Sequence, residues 1–79
     1  MSASHRARLA LEEATQARKR AGYLDTMAGQ EWDSAYAAWM CARASEGDSF
    51  ALSLGYTATG WDFDVWARHR EAQRARKAG

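Results

Sequence analysis

From Ala3 to Ala28 a small apolar residue returns every three or four positions, at 3, 7, 10, 14, 17, 21, 24 and 28, and each is alanine except Leu24. This spacing predicts a helix over residues 3–28 carrying a single apolar seam. Alanine is the strongest helix former, and its methyl group lets a second helix come close while burying little area. The seam is therefore a packing surface of modest strength, and its stretch over residues 7–21 is the expected contact for a homodimer. Leu9 and Leu11 flank it, and Arg8, Glu12 and Gln16 are neighbours at i, i+4 that add slight support. Gly22 and Gly29 interrupt the pattern at a cost of about 1 kcal/mol each relative to alanine, so one of them is expected to mark a turn.

So thin a seam matters because the whole chain has only 79 residues. A chain this short buries about 60–65% of its unfolded surface, and it needs disulfides, a metal, a second copy or large side chains to compensate. Cys41 is the only cysteine, so no internal disulfide can form. It reads as a small buried apolar residue, with a bridge between two chains as the alternative under oxidising conditions. Four tryptophans, at 32, 39, 61 and 66, are the visible compensation. Trp32, Trp39 and Trp61 are expected in the core. Trp66 sits off the apolar stripe of its helix and is the expected exposed anchor. No apolar stretch approaches the length of a membrane span, and the N-terminus has no secretory pattern. The expected location is cytoplasmic, that of the host cell if the chain is phage-encoded.

After the first helix, Asp25-Thr26 and the acidic pair Glu31 and Asp33 offer helix-start chemistry. A second helix should run to about Ala44, with a buried stripe of Trp32, Ala35, Tyr36, Trp39, Met40 and Arg43, and Gly47 should close it. The period then changes to two. Phe50, Leu52, Leu54 and Tyr56 alternate with small residues, and Trp61, Phe63 and Val65 alternate with Asp62 and Asp64. This predicts a β-hairpin with its turn at Thr57–Gly60. A last helix should run from about Val65 to Lys77. The expected fold is mostly helical α+β, helix–helix–β-hairpin–helix, in one domain over residues 1–79 with 1–4 and 78–79 frayed. An all-α bundle of three or four helices is the alternative.

Charge is segregated along the chain although the net value is only +1. Residues 1–22 carry five cations against two acids. Residues 23–66 carry seven acids against Arg43 alone. Residues 67–79 carry Arg68, Arg70, Arg74, Arg76 and Lys77 against Glu71. An acidic middle lies between two basic ends.

The residues that could carry chemistry are sparse. Zinc needs four Cys or His ligands, and the chain has three such residues, His5, Cys41 and His69. No calcium-loop spacing and no phosphate-binding glycine motif is present. Cys41 and His69 have no third orienting group at a telling spacing, and Asp62 and Asp64 on a strand would face water. The expectation is a protein that is not an enzyme and uses no cofactor or metal.

Phe50-Ala51-Leu52-Ser53-Leu54-Gly55-Tyr56 resembles the first half of a helix-turn-helix. Ala51, Leu54, Gly55 and Tyr56 match the family's small residue, turn glycine and flanking apolar positions, and Trp61 falls where its second helix is anchored. That resemblance implies a small dimeric DNA-binding regulator. Apart from the motif, Arg68, Arg70, Arg74, Arg76 and Lys77 are five cations within ten residues and offer a contact to nucleic acid, with a solubilising helix tail as the alternative reading. Gly60 and Asp64 depart from the pattern inside the would-be recognition helix.

In its length, lone cysteine, missing catalytic site and segregated charge, the chain is similar to the small accessory proteins of phages and mobile elements, including the anti-CRISPR class. That likeness implies a protein-binding inhibitor that covers a surface of a larger nucleic-acid-handling complex. The expected partner contact is the acidic set Glu31, Asp33, Asp48, Asp62 and Asp64 with Trp66, docking on basic residues that would otherwise hold nucleic acid.

Overall fold

The computed structural model describes residues 2–78. In chain order the elements are α1 (Ala3–Ala21), α2 (Thr26–Ser45), a single-turn helix α3 (Ser49–Ser53), strands β1 (Tyr56–Thr57) and β2 (Gly60–Trp61), and α4 (Phe63–Ala78). The mostly helical α+β class is as expected. Of the ends expected to fray, Met1 and Gly79 lie outside the described residues, and Ser2 to Ser4 form the capped start of α1.

The helix predicted over 3–28 is two helices. Ser2 opens α1 by accepting a hydrogen bond from the His5 N–H at 3.1 Å. Gly22 closes it at φ +92°, a conformation only glycine adopts freely, and its N–H donates to the Arg18 carbonyl at 2.9 Å. Asp25 then caps α2, its carboxylate accepting from the Ala28 N–H at 2.9 Å. Leu24, which the seam would have placed on the apolar face, sits in this turn and is 99% exposed.

α1 and α2 are antiparallel, as the contacts of Ser4 with Glu46 and of Thr15 with Trp32 require. Leu11 is buried, and Ala7, Ala14 and Thr15 are half-buried on the same face. Within the alanine seam, Ala7, Ala14 and Ala17 are half-buried, while Ala10 and Ala21 remain exposed. Trp32 is held by its indole N–H, which donates to the Thr15 hydroxyl at 2.9 Å, while that hydroxyl donates to the Leu11 carbonyl at 2.8 Å.

α2 ends at Ser45 with Glu46 as its cap, and Gly47, expected to close the helix, follows at φ +86°; the Gly47 and Asp48 N–H groups donate to the carbonyls of Ala44 and Arg43 at 3.0 Å each. The predicted hairpin is much shorter than its apolar alternation suggests. Asp48 caps α3, one carboxylate oxygen accepting from Phe50 N at 2.9 Å and Ala51 N at 3.1 Å, so residues 49–53 coil instead of extending. Asp62 likewise accepts from Asp64 N at 2.8 Å and Val65 N at 3.2 Å and starts α4 at Phe63. Between the two caps, only Tyr56 pairs with Trp61 and Thr57 with Gly60. The helix-turn-helix spacing is not realised, because β1 and not a second helix follows Gly55.

The core is small. Met40, Ala44 and Ala51 are buried together, with Tyr36, Trp39, Leu52 and Tyr56 packed around them. Met40 is the one large side chain fully withdrawn from solvent among the described residues. α2 is therefore the central element, with α1 along one face and α3 and the hairpin on the other. α4 packs chiefly on α3 and then leaves the body. The molecule measures 48 × 32 × 18 Å, and its radius of gyration of 14.9 Å exceeds the roughly 12 Å of a compact chain this long. No helix among the described residues is long and apolar enough to cross a membrane.

Candidate functional site

Gly55 is where α3, the hairpin and α4 meet. It follows the last turn of α3 at φ +95°, and its carbonyl accepts from the Asp62 N–H at 2.8 Å. A β-carbon there would come within 2.6 Å of the Trp61 indole nitrogen and 2.8 Å of the Trp66 β-carbon. Only glycine lets the two tryptophans close over this point. The Trp61 indole N–H donates to the Leu54 carbonyl at 2.8 Å, which fixes the ring in one orientation.

Trp61 is nevertheless 54% exposed, where the sequence places it in the core. Two paired residues per strand make a ribbon too short to cover a ring of that size. Phe63, at the start of α4, is 60% exposed and stands edge-on to Trp61 with centroids 6.3 Å apart. Trp66 lies 5.7 Å from Phe63 and is half-buried. It is less exposed than either neighbour, and so is not the exposed anchor expected of it. Phe50 and Leu54, both exposed, belong to the adjoining α3 turn. Asp62 and Asp64 flank Phe63 in sequence and are exposed. One oxygen of Asp62 serves the α4 cap, and Asp64 has no ion-pair partner among the described residues.

The other acids expected at this surface do not join it as free charges. Asp48 is committed on both oxygens: one caps α3, and the other accepts from Arg43 Nε at 3.0 Å and Nη2 at 2.8 Å. The Arg43 guanidinium holds the Asp48 carboxyl below the usual carboxylate range. Glu31 and Asp33 are both exposed on α2, but two residues of helix turn through about 200°, so they point to opposite sides. A single acidic patch of five carboxylates is not formed. Asp62 and Asp64 beside the rings are what remains of it.

All three other tryptophans, and Tyr23 and Phe50, meet arginines, whereas among the described residues Tyr36 and Tyr56 at the core do not. Trp39 has the Arg43 guanidinium carbon 4.7 Å and that of Arg8 5.0 Å from its ring centroid. Arg18 lies 5.2 Å from Trp32 and 5.4 Å from Tyr23, Arg43 lies 5.6 Å from Phe50, and Arg70 lies 5.4 Å from Trp66. Among the described residues, Trp61 and Phe63 have no such cation, although two carboxylates stand next to them.

The remaining polar groups are accounted for locally. Glu46 accepts from the Ser4 N–H at 3.1 Å and the Ser4 hydroxyl at 2.6 Å, and these bonds lower its pKa and tie the start of α1 to the end of α2. Cys41 is half-buried on α2, and burial pushes its thiol up, so at neutral pH it remains a thiol. Burial raises the Tyr56 phenol in the same way. No cluster of three or more Cys, His, Asp or Glu that could hold a metal occurs among the described residues. Arg68, Arg70, Arg74, Arg76 and Lys77 are all exposed on α4.

No family model, curated protein or solved structure matches the chain.

Proposed function

We propose that this chain is a non-enzymatic binding module that docks on a protein partner through the Trp61–Phe63 patch. Asp62 and Asp64 steer the patch onto arginines and lysines of that partner. The observation that supports this is the pair of rings more than half exposed, Trp61 held by its indole hydrogen bond and Phe63 edge-on to it, with no cation over them and carboxylates beside them, in a molecule whose other tryptophans all meet an arginine. A guanidinium supplied by a partner would find both an aromatic face and a counter-charge here. Rigid aromatic anchors with a polar rim are also the usual composition of an interface hot spot.

A partner surface rich in arginine and lysine is the kind that nucleic-acid-handling proteins use to hold phosphate. Covering it inhibits that function, in keeping with the likeness to small phage inhibitors. The test uses the wild-type chain and a Trp61→Ala, Phe63→Ala variant as parallel baits in lysate of the native host. A protein retained by the first and lost by the second, whose nucleic-acid binding then falls when the purified wild-type chain is added, supports the reading. Equal retention by both baits removes the patch from the interface.

A further inference from the structure

α4 is the element that the fold packs least. Val65, Trp66, Ala67 and His69 are half-buried, but every residue from Arg70 to Lys77 is exposed. That free part is about 12 Å long. With about 100° between successive side chains, Arg70, Arg74 and Lys77 share one flank of the helix. Arg76 and, about two turns earlier, Arg68 share the other, roughly 165° away; Arg68 lies in the packed stretch, where its Nε donates to the Asp64 carbonyl at 3.3 Å, but its side chain is exposed. Gln73 stands between the two rows on one side and Glu71 on the opposite side. The contact between Glu71 and Arg74 is long, at 3.8 Å, and both side chains are more than three-quarters exposed, so it leaves the cation available.

A flat anionic surface could engage only one of these rows. Two opposed rows on one unpacked helix suit a groove with a phosphate backbone on each side. The major groove of B-form DNA is about 12 Å wide, and a helix with its side chains is about 10–12 Å across. We propose that the projecting part of α4 enters the major groove of duplex DNA. Arg70, Arg74 and Lys77 contact one backbone, Arg68 and Arg76 contact the other, and the Glu71 side faces away. A single strand offers one backbone only, and the major groove of A-form RNA is too narrow to admit a helix. This contact is separate from the Trp61–Phe63 patch and stands or falls independently of it.

The test is fluorescence anisotropy of the full chain with three labelled probes: a DNA duplex of about two helical turns, one of its strands alone, and an RNA duplex of the same sequence. The DNA duplex should bind most tightly. Five phosphate contacts should make its affinity fall roughly 500-fold between about 50 and 200 mM salt. An Arg70→Ala, Arg74→Ala, Lys77→Ala variant should reduce that fall to roughly 10-fold, and an Arg68→Ala, Arg76→Ala variant to roughly 40-fold. All five positions are exposed, so unchanged circular dichroism is expected of both variants. The Trp61→Ala, Phe63→Ala variant should bind DNA like wild type. No duplex binding at the lowest salt, equal binding of single strand or RNA, or an effect confined to one row would overturn the proposal.

Discussion

The two ends of this molecule use aromatic rings and arginines in opposite ways. Along α1 and α2, arginines lie against rings: Arg8 and Arg43 on Trp39, and Arg18 on Trp32. There the guanidinium covers apolar surface that so small a core cannot reach, and the pair substitutes for missing depth. At the hairpin and α4 the two are separated. Trp61 and Phe63 are open, and the α4 cations beyond Arg70 project past any ring. Trp66 and Arg70, 5.4 Å apart, mark the border. The difference teaches that the first half uses these contacts to stay folded, while the second leaves the same residue types free to meet something else.

The strongest way to break this contrast is to remove one large side chain from each half. Met40→Ala opens a cavity under Tyr36, Trp39 and Tyr56, with an expected loss of about 2–5 kcal/mol in urea unfolding. Phe63→Ala should cost at most about 0.5–1 kcal/mol, because more than half of that ring is already in solvent. Comparable losses would mean that Phe63 belongs to the core.

Gly55→Ala probes the joint between the halves. A positive φ and two contacts below 3.0 Å should together cost about 1–3 kcal/mol. The accompanying sign is a change in tryptophan fluorescence together with faster amide exchange in the first turn of α4, while exchange in α2 stays slow. Uniform exchange throughout would show that the joint is not local.

A smaller effect separates two roles of one residue. Asp62→Ala removes the α4 cap and should lower stability by about 1 kcal/mol, while Asp62→Asn keeps the capping oxygen and should change it little. Loss of partner affinity in the asparagine variant then reports the charge alone.

The smallest predicted effect is on pH dependence. Asp48 has its pKa depressed in the folded state by Arg43, so its contribution to stability is present above the unfolded-state value of about 4. It is lost as pH falls through the lower folded value. Asp48→Asn keeps the cap of α3 but removes the charge, and thermal melts should show a shallower acid limb below about pH 4 than wild type. An identical acid limb would mean that Arg43 does not hold that carboxylate.

Much of this was legible in the residues. The helix periodicity over 3–21 and 32–44, the stop before Gly47, the turn at 57–60 and a mostly helical α+β fold all follow from spacing and punctuation. Two things did not, for a shared reason. The alternation from Phe50 to Tyr56 and from Trp61 to Val65 reads as paired strands, and single aspartates at 48 and 62 override it by capping helices. A cap acts through two or three backbone bonds, which outweigh a weak period-two pattern over so few residues. Likewise, the seam reads continuously through Gly22, although one residue at positive φ redirects the chain and leaves Leu24 in solvent. At the site, Asp62 and Asp64 stood out in sequence, but Trp61 read as core because nothing local shows how short the ribbon would be. Glu31 and Asp33 looked like part of one patch until the helix turned them apart.

The proposed docking requires Trp61 and Phe63 to be an open receptor instead of unfinished core. Its most direct test is calorimetric titration of the purified partner, identified by differential capture, with wild type and with the Trp61→Ala, Phe63→Ala variant. Affinity should fall by at least about 100-fold, as expected for two central anchors, while the variant, although less stable, stays folded at the titration temperature by circular dichroism. An unchanged affinity, or a loss explained by unfolding of the variant, would contradict it.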